Sequence, residues 1–254
     1  MAAVKYLLHA LFGWKSRAAR QPQVVFSSVT TVKWYDTLAL IIMRQKVAPD
    51  SVCVDVGCHI GKILDEMMRL APQGTFFAFE PLPDLYAGLK ERYTQPNVHL
   101  SNAALSDKQG TTTFNHVITN PAYSGIVKRK YDRPLEDDET ITVPTARLDD
   151  ILAAAGIGKV DLIKIDVEGA ELLVLKGAEA TLKRDKPIVI FEHGLGATDC
   201  YGVKPDDVYD LLVDRCGMKI SLLENFLLDL PALTREELND QFYSRKNYYF
   251  VAHP

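Results

Sequence analysis

The sequence predicts an α/β fold in which a mostly parallel sheet carries helices on both faces. Three observations predict it. Short apolar, β-branched or aromatic runs at 52–56, 75–79, 160–165 and 187–191 suit strands buried on both faces. Segments with helical periodicity lie between them, as the crossover between parallel strands requires. Polar side chains stand where the strands end: Asp55, Glu80, Asn102 and Asp166. Open α/β sheets hold ligands outside the carboxyl ends of their strands, so these four residues converge on one rim.

Residues 1–20 contain no acid, carry Lys5, Lys15, Arg17 and Arg20, and place Val4, Leu7, Leu8, Leu11, Phe12 and Trp14 at amphipathic helical spacing. The first reading is an added helix packed on the domain or on a partner chain. Peripheral contact with a membrane surface is the second, and a targeting segment the third. A secretory signal is not expected, because no small-residue cleavage site closely follows a long apolar core. Residues 21–31 read as irregular or partly extended. Residues 34–46 carry Leu38, Ile41 and Ile42 at helical spacing and stop before Pro49-Asp50, which gives a helix against the sheet edge. The chain divides into an N-terminal helical extension over 1–48 and one domain over 49–254.

The first strand, 52–56, carries Asp55 near its end and runs into Gly57 and Gly61. A helix follows to Leu70, stopped by Ala71-Pro72-Gln73-Gly74. Strand, glycine turn and helix N-terminus make a nucleotide cradle, with flexible backbone and unpaired N–H groups. The dinucleotide fingerprint fails, because His59 and Lys62 stand where its second and third glycines belong. The phosphate loop fails too: Gly61-Lys62 is followed by Ile63, and Val56 stands at the place of the first glycine. What remains is Asp-x-Gly-x-x-x-Gly, with Cys58 and His59 inside the turn. An acid and a turn without a phosphate-binding lysine suit a cationic ligand with a ribose and no phosphate. S-adenosylmethionine is such a ligand. The strand at 75–79 ends in Glu80-Pro81, at the remove of roughly 20 residues from the glycine turn where a carboxylate holds ribose hydroxyls. A helix over 83–93 follows, closed by Gln95-Pro96-Asn97. The short strand 98–100 leads to Asn102-Ala103-Ala104. Small residues there suit a flat adenine, with Asn102 bonding its edge.

Residues 111–117 and 140–143 read as strands of an inserted β-hairpin. The polar stretch 120–138 between them is a long loop near the site, suited to a lid, with Tyr123 and Ser124 as candidate substrate contacts. A short helix opens at 145 and ends at Gly156. The central strand 160–165 presents Asp166 and Glu168 at its carboxyl end. Lys164 within it needs a carboxylate partner if buried. A helix over 170–182, a strand over 187–191 ending in Glu192-His193, a helix over 208–216 and strands at 218–223 and 248–252 complete the chain. The last two suit an antiparallel hairpin at the sheet edge. Asp166, Glu192 and His193 are the candidates for a general base.

Composition sets the outer bounds. A chain of 254 residues with 47% hydrophobic content supports a sizeable core. A net charge of −4 argues against a nucleic-acid partner, which brings a basic face. Cys53, Cys58, Cys200 and Cys216 lack C-x-x-C spacing, and the histidines are dispersed, so neither a disulfide framework nor a metal site is expected. Scattered thiols suit a reducing compartment, hence the cytoplasm. No stretch approaches the roughly 20 apolar residues that span a bilayer.

Together, Val54-Asp55-Val56-Gly57 with Ile60-Gly61, Phe79-Glu80-Pro81, Asn102-Ala103-Ala104-Leu105-Ser106-Asp107, Arg147-Leu148-Asp149 and above all Leu162-Ile163-Lys164-Ile165-Asp166-Val167-Glu168-Gly169-Ala170-Glu171 resemble the FkbM-family methyltransferases. The resemblance covers roughly residues 50–195. It implies a class I, Rossmann-like methyltransferase fold: a mostly parallel seven-stranded sheet whose last strand is antiparallel. It also implies methyl transfer from S-adenosylmethionine, usually to a hydroxyl oxygen of a sugar, a glycolipid or polysaccharide unit, or a polyketide-type metabolite. The acceptor is then a small molecule or a carbohydrate- or lipid-linked group. By matching positions, Asp55, Gly57 and Gly61 form the cofactor turn, with Cys58 and His59 between them. Glu80 and Pro81 stand at the ribose, Asn102, Ala103 and Ala104 at the adenine, and Asp166 and Glu168 at the methyl-transfer rim. The chain departs from the family at His59, where Asn is frequent, and at Lys62, where an aromatic residue is common. Two rival readings are an NAD-dependent oxidoreductase, which the broken fingerprint opposes, and a non-catalytic nucleoside-binding scaffold.

Overall fold

The computed structural model describes residues 31–131 and 135–254, so the expectations for residues 1–30 lie outside it. Helix α1 (Thr31–Lys46) ends with Arg44 and Lys46 in its last turn, where cations complement the helix dipole. Strand β1 (Val52–Val56), α2 (Lys62–Leu70), β2 (Thr75–Phe79), α3 (Pro83–Arg92) and β3 (Val98–Ser101) follow as the apolar runs and their turn residues dictate. Then come β4 (Ala104–Leu105), β5 (Gly110–Val117), β6 (Asp138–Ala146) and α4 (Leu148–Ala154). The second half holds β7 (Leu162–Ile165), α5 (Glu171–Gly177), α6 (Glu179–Asp185), β8 (Ile188–Glu192), α7 (Pro205–Tyr209), β9 (Lys219–Leu222), α8 (Leu223–Leu227), α9 (Arg235–Tyr243) and β10 (Tyr249–His253).

The main sheet has seven strands in the order β3-β2-β1-β7-β8-β10-β9. The first five run parallel. Strand β10 is antiparallel to both β8 and β9. The expected antiparallel pair is therefore present, but β10 lies inside β9, and α8 and α9 rather than a hairpin turn connect them. Alternation along the strands sends Val54, Phe77, Ile163, Phe191 and Phe250 to one face, under α4 to α7 and α9. Cys53, Phe76, Leu162, Ile190 and Val251 go to the other, under α1, α2 and α8. Each large side chain buried this way contributes roughly 1.5–3 kcal/mol. Asp55 and Lys164 are register partners and share the second face. A second sheet, in the order β4-β6-β5, is the inserted hairpin, closed around Leu82, Ala104, Phe114 and Val143.

Three helices differ from the sequence expectation; the one expected to open at 145 begins at Leu148, because β6 runs on to Ala146. The one expected over 170–182 breaks at Ala178 into α5 and α6. A Cβ at Gly177 would strike the Ser106 carbonyl. The Asp149 carboxylate accepts from the Ala180 and Thr181 amides at 3.0 and 2.9 Å, which caps α6 separately. The helix expected over 208–216 is the end of α7 continued by a π-helical turn, Asp210–Arg215.

Candidate active site

The turn after β1 is built from left-handed backbone: φ is +77° at Gly57, +49° at His59 and +80° at Gly61. A Cβ at Gly57 would collide with the Asp166 carbonyl, and one at Gly61 with the Tyr93 hydroxyl. Packing of the turn against neighbouring protein thus requires the glycines, where the sequence suggested close approach of a ligand. The Gly57 and Cys58 amides both donate to the Phe79 carbonyl at 3.0 Å, which ties the turn to the end of β2. Glu80 follows directly. Its Oε2 accepts from the His59 amide at 2.8 Å and its Oε1 from the Leu82 amide at 3.0 Å. An ionised carboxylate has about four acceptor positions, so each oxygen keeps capacity for a further donor. Burial pushes the Glu80 carboxyl up, and the two amides oppose it.

Two adjoining cavities open at this rim. The larger, about 270 Å³, is lined by Glu80, Pro81, Ala103, Ala104, Phe114 and Asp166, among others. The smaller, about 150 Å³, is lined by Asp55, Cys58, His59, Lys62, Lys164 and Asp166, among others. Gly57, His59 and Asp166 border both, so the two form one cleft. Together they have the size of a small-molecule site, a few hundred Å³. The larger part has mostly apolar walls, with the carboxyl groups of Glu80, Asp166 and Glu168 among its lining. In the smaller part Asp55 is 2% exposed, and its Oδ2 has no hydrogen-bond partner. Burial pushes its carboxyl up to about 7, Lys164 opposes this, and Asp166 and Glu80 add to it. A buried carboxylate oxygen lacking a donor fits a ligand that brings a cationic or N–H group.

Asp166 lies between the cavities, with 39% of its side chain exposed. Its Oδ2 accepts from the Tyr249 hydroxyl at 2.6 Å and from Lys164 Nζ at 3.1 Å. Lys164 also donates to the Tyr249 hydroxyl oxygen at 3.1 Å and lies 4.9 Å from the ring centroid. The partner that the sequence demanded for Lys164 is thus Asp166. Burial pushes the Asp166 carboxyl up, but Lys164, Tyr249 and a Glu192 contact together hold it below the ordinary range. Burial, followed by the Asp166 charge, drives Glu192 far the other way.

The structure therefore brings together Asp55, Gly57, Cys58, His59, Glu80, Pro81, Ala103, Ala104 and Asp166. Three expected residues stand apart. Asn102 is exposed and lines neither cavity; Ala103 and Ala104 lie there without it. Gly61 shapes the turn from behind, against Tyr93. His193 is 1% exposed, stacks on Phe242 at 4.7 Å and lines neither cavity. It cannot reach a reacting hydroxyl, because alternation at the end of β8 turns it away from Glu192. Glu192 lines neither cavity but touches Asp166. The loop expected as a lid contributes Pro121, Ala122, Ser124 and Ile126 to the cavity wall. Ser124 Oγ is taken by the Val117 amide at 2.9 Å. The Tyr123 ring lies under Arg129 at 4.4 Å, and Arg129 reaches Glu168 at 3.0 Å. Sequence reading missed Tyr249 and Arg129, since neither sits in a motif.

A family model described as the methyltransferase FkbM domain matches residues 55–220. The chain is 32% identical over 166 residues to the 2-O-methyltransferase NoeI of Sinorhizobium fredii, covering 59% of this chain and 68% of that protein. It is 28% identical over 174 residues to the hexuronic acid methyltransferase AglP of Haloferax volcanii, covering 67% and 65% respectively. Among solved structures, the methyltransferase FkbM of Methylobacillus flagellatus superposes with a TM-score of 0.50 at 16% identity. That match covers 81% of this chain but 44% of the other, and it speaks for the fold alone. On the strength of the matched domain, which includes both the glycine turn and the Lys164–Glu171 segment, this chain belongs to the FkbM methyltransferase family.

Proposed function

We propose that the chain transfers a methyl group from S-adenosylmethionine to a hydroxyl oxygen of a sugar, a glycolipid or a hydroxylated secondary metabolite. The carrying observation is the buried, unpartnered Asp55 oxygen in a cleft bordered by Glu80 and Asp166. Asp55 would accept from the ammonium of the methionine end. Glu80 would accept from the ribose hydroxyls, and Ala103, Ala104 and Phe114 would flank the adenine. When bound, the cofactor supplies an electrophilic methyl carbon, whose bond to sulfur breaks with the electron pair leaving on sulfur. The rest falls to the protein. Holding the acceptor oxygen in line contributes as much as roughly 7–11 kcal/mol in well-aligned cases. A base that takes the hydroxyl proton contributes roughly 10²–10⁴-fold, and Asp166, open to both cavities, is placed for that role. The acceptor class rests on the relatives, which methylate a 2-O position and a hexuronic acid by their names.

Calorimetry with S-adenosylhomocysteine and then NADH tests the cofactor; binding of NADH alone would refute the proposal. Transfer of tritium from methyl-labelled S-adenosylmethionine to a panel of uronosides, neutral glycosides and hydroxylated polyketides tests the reaction. Asp166→Ala is expected to lose at least 10²-fold in rate while still binding S-adenosylhomocysteine. Binding without transfer to any acceptor would favour the scaffold reading.

A further inference from the structure

Two carboxyl groups, Asp166 and Glu192, meet at the end of the central strands, and their surroundings differ sharply. Asp166 receives a phenol and an ammonium on one oxygen, from β10 and β7 respectively. Glu192 sits directly opposite Tyr249 in the β8–β10 register, beside Asp166, and forms no ion pair among the described residues. Lys164 is 5% exposed in the middle of a hydrophobic sheet, an expensive place for a charge unless paired. Carboxyl pairs whose environments are pushed apart are the pattern of divided acid and base roles.

We propose that Lys164 and Tyr249 are positioning residues: by donating to the same Asp166 oxygen they fix that carboxylate as the proton acceptor for the methylated hydroxyl. The proposal rests on the methyl-transfer reading above. In the step concerned, the acceptor O–H bond breaks and its electron pair stays on oxygen, which forms the new bond to carbon. The proton passes to Asp166, while the carbon–sulfur pair leaves on sulfur. One positive and one negative charge in the cleft disappear together, so the step leaves the net charge of the cleft unchanged. Groups that face Asp166 and shape its titration are Asp36 from α1, Asp55 from β1, His59 from the turn, Glu171 from α5, Glu192 from β8 and Tyr248 beside Tyr249.

Carbon-13 NMR titration of aspartate-labelled full chain, with Asp166→Asn assigning the signal, reads the arrangement directly. Tyr249→Phe is expected to move the Asp166 midpoint upward, and Lys164→Met to move it further. With the most heavily labelled acceptor of the tritium assay, Tyr249→Phe lowers kcat about tenfold, the share of one hydrogen bond to a charged group. It also moves the acid limb of the pH profile upward and leaves the affinity for S-adenosylhomocysteine unchanged. If Lys164→Met does not fold, the isosteric Tyr249→Phe decides. An unmoved midpoint or an unchanged kcat, in protein that binds S-adenosylhomocysteine, overturns the positioning role alone. Wild-type protein that fails to bind S-adenosylhomocysteine sinks the methyl-transfer reading first, and this proposal with it.

Discussion

Asp55 sits between Ala78 of β2 and Lys164 of β7, with one oxygen unpartnered and its carboxyl pushed up to about 7. Between the ordinary carboxylate value and about 7, its ionised form is disfavoured by up to about 4 kcal/mol. The folded state holds this proton more tightly than the unfolded chain does. The cost is therefore absent below the ordinary value, grows as pH rises, and is complete above about 7. Asp55→Asn is expected to raise Tm at pH 8, to leave it unchanged near pH 4, and to weaken binding of S-adenosylmethionine. Scanning calorimetry and titration calorimetry read the two effects. In the wild type, affinity for S-adenosylmethionine is expected to tighten from pH 6 to pH 8 as Asp55 ionises; a flat profile would contradict the proposed role of Asp55. Gly57→Ala meets both a left-handed φ of +77° and the Asp166 carbonyl. A loss of more than about 2 kcal/mol follows, visible as a Tm drop of several degrees.

Among the elements, α6 owes its start to a residue far away in sequence. Asp149 caps it through three hydrogen bonds, two to amides and one to the Thr181 hydroxyl. Asp149→Ala is expected to cost about 1–2 kcal/mol in urea unfolding while leaving affinity for S-adenosylhomocysteine unchanged. The same cap explains a misreading. The apolar spacing from Leu172 to Leu182 is continuous, so the break at Ala178 could not be read locally; it depends on Ser106 and Asp149, which only tertiary packing brings near. The strands of the main sheet were legible nearly to the residue, because their β-branched and aromatic runs are bounded by glycine and proline; β4 was not read, and β6 extends at both ends beyond the expected 140–143. The loop between β5 and β6 is latched where Arg129 meets Glu168 and where the Tyr201 hydroxyl accepts from the Val127 amide at 3.0 Å. Arg129→Met is expected to speed S-adenosylhomocysteine dissociation severalfold in stopped flow, the share of about 1 kcal/mol for a partly exposed ion pair.

Over the whole molecule, both faces of the sheet are buried, and three of the four thiols are buried with them; Cys200 alone is exposed. Burial also pushes the Cys53 thiol up to about 12. Native protein is expected to react with one equivalent of a thiol reagent and urea-unfolded protein with four. The site was legible to the extent that it lies at strand ends: Asp55, Glu80, Ala104 and Asp166 follow from the fold class and chain order alone. Tyr249 and the misplaced His193 were not. The face that Tyr249 presents depends on where β10 enters the sheet, which no local pattern states, whereas His193 follows Glu192 by strand alternation onto the opposite face.

Strand β10 lies between β8 and β9, although synthesis delivers it after both. Until it arrives, β8 has an open edge and β9 has no neighbour in the sheet. The same strand carries the phenol that meets Asp166. Closing the sheet and supplying that phenol are thus a single event of biogenesis. A nascent chain can form its glycine turn early, but it acquires the finished Asp166–Tyr249 pair only when the wedge slides home.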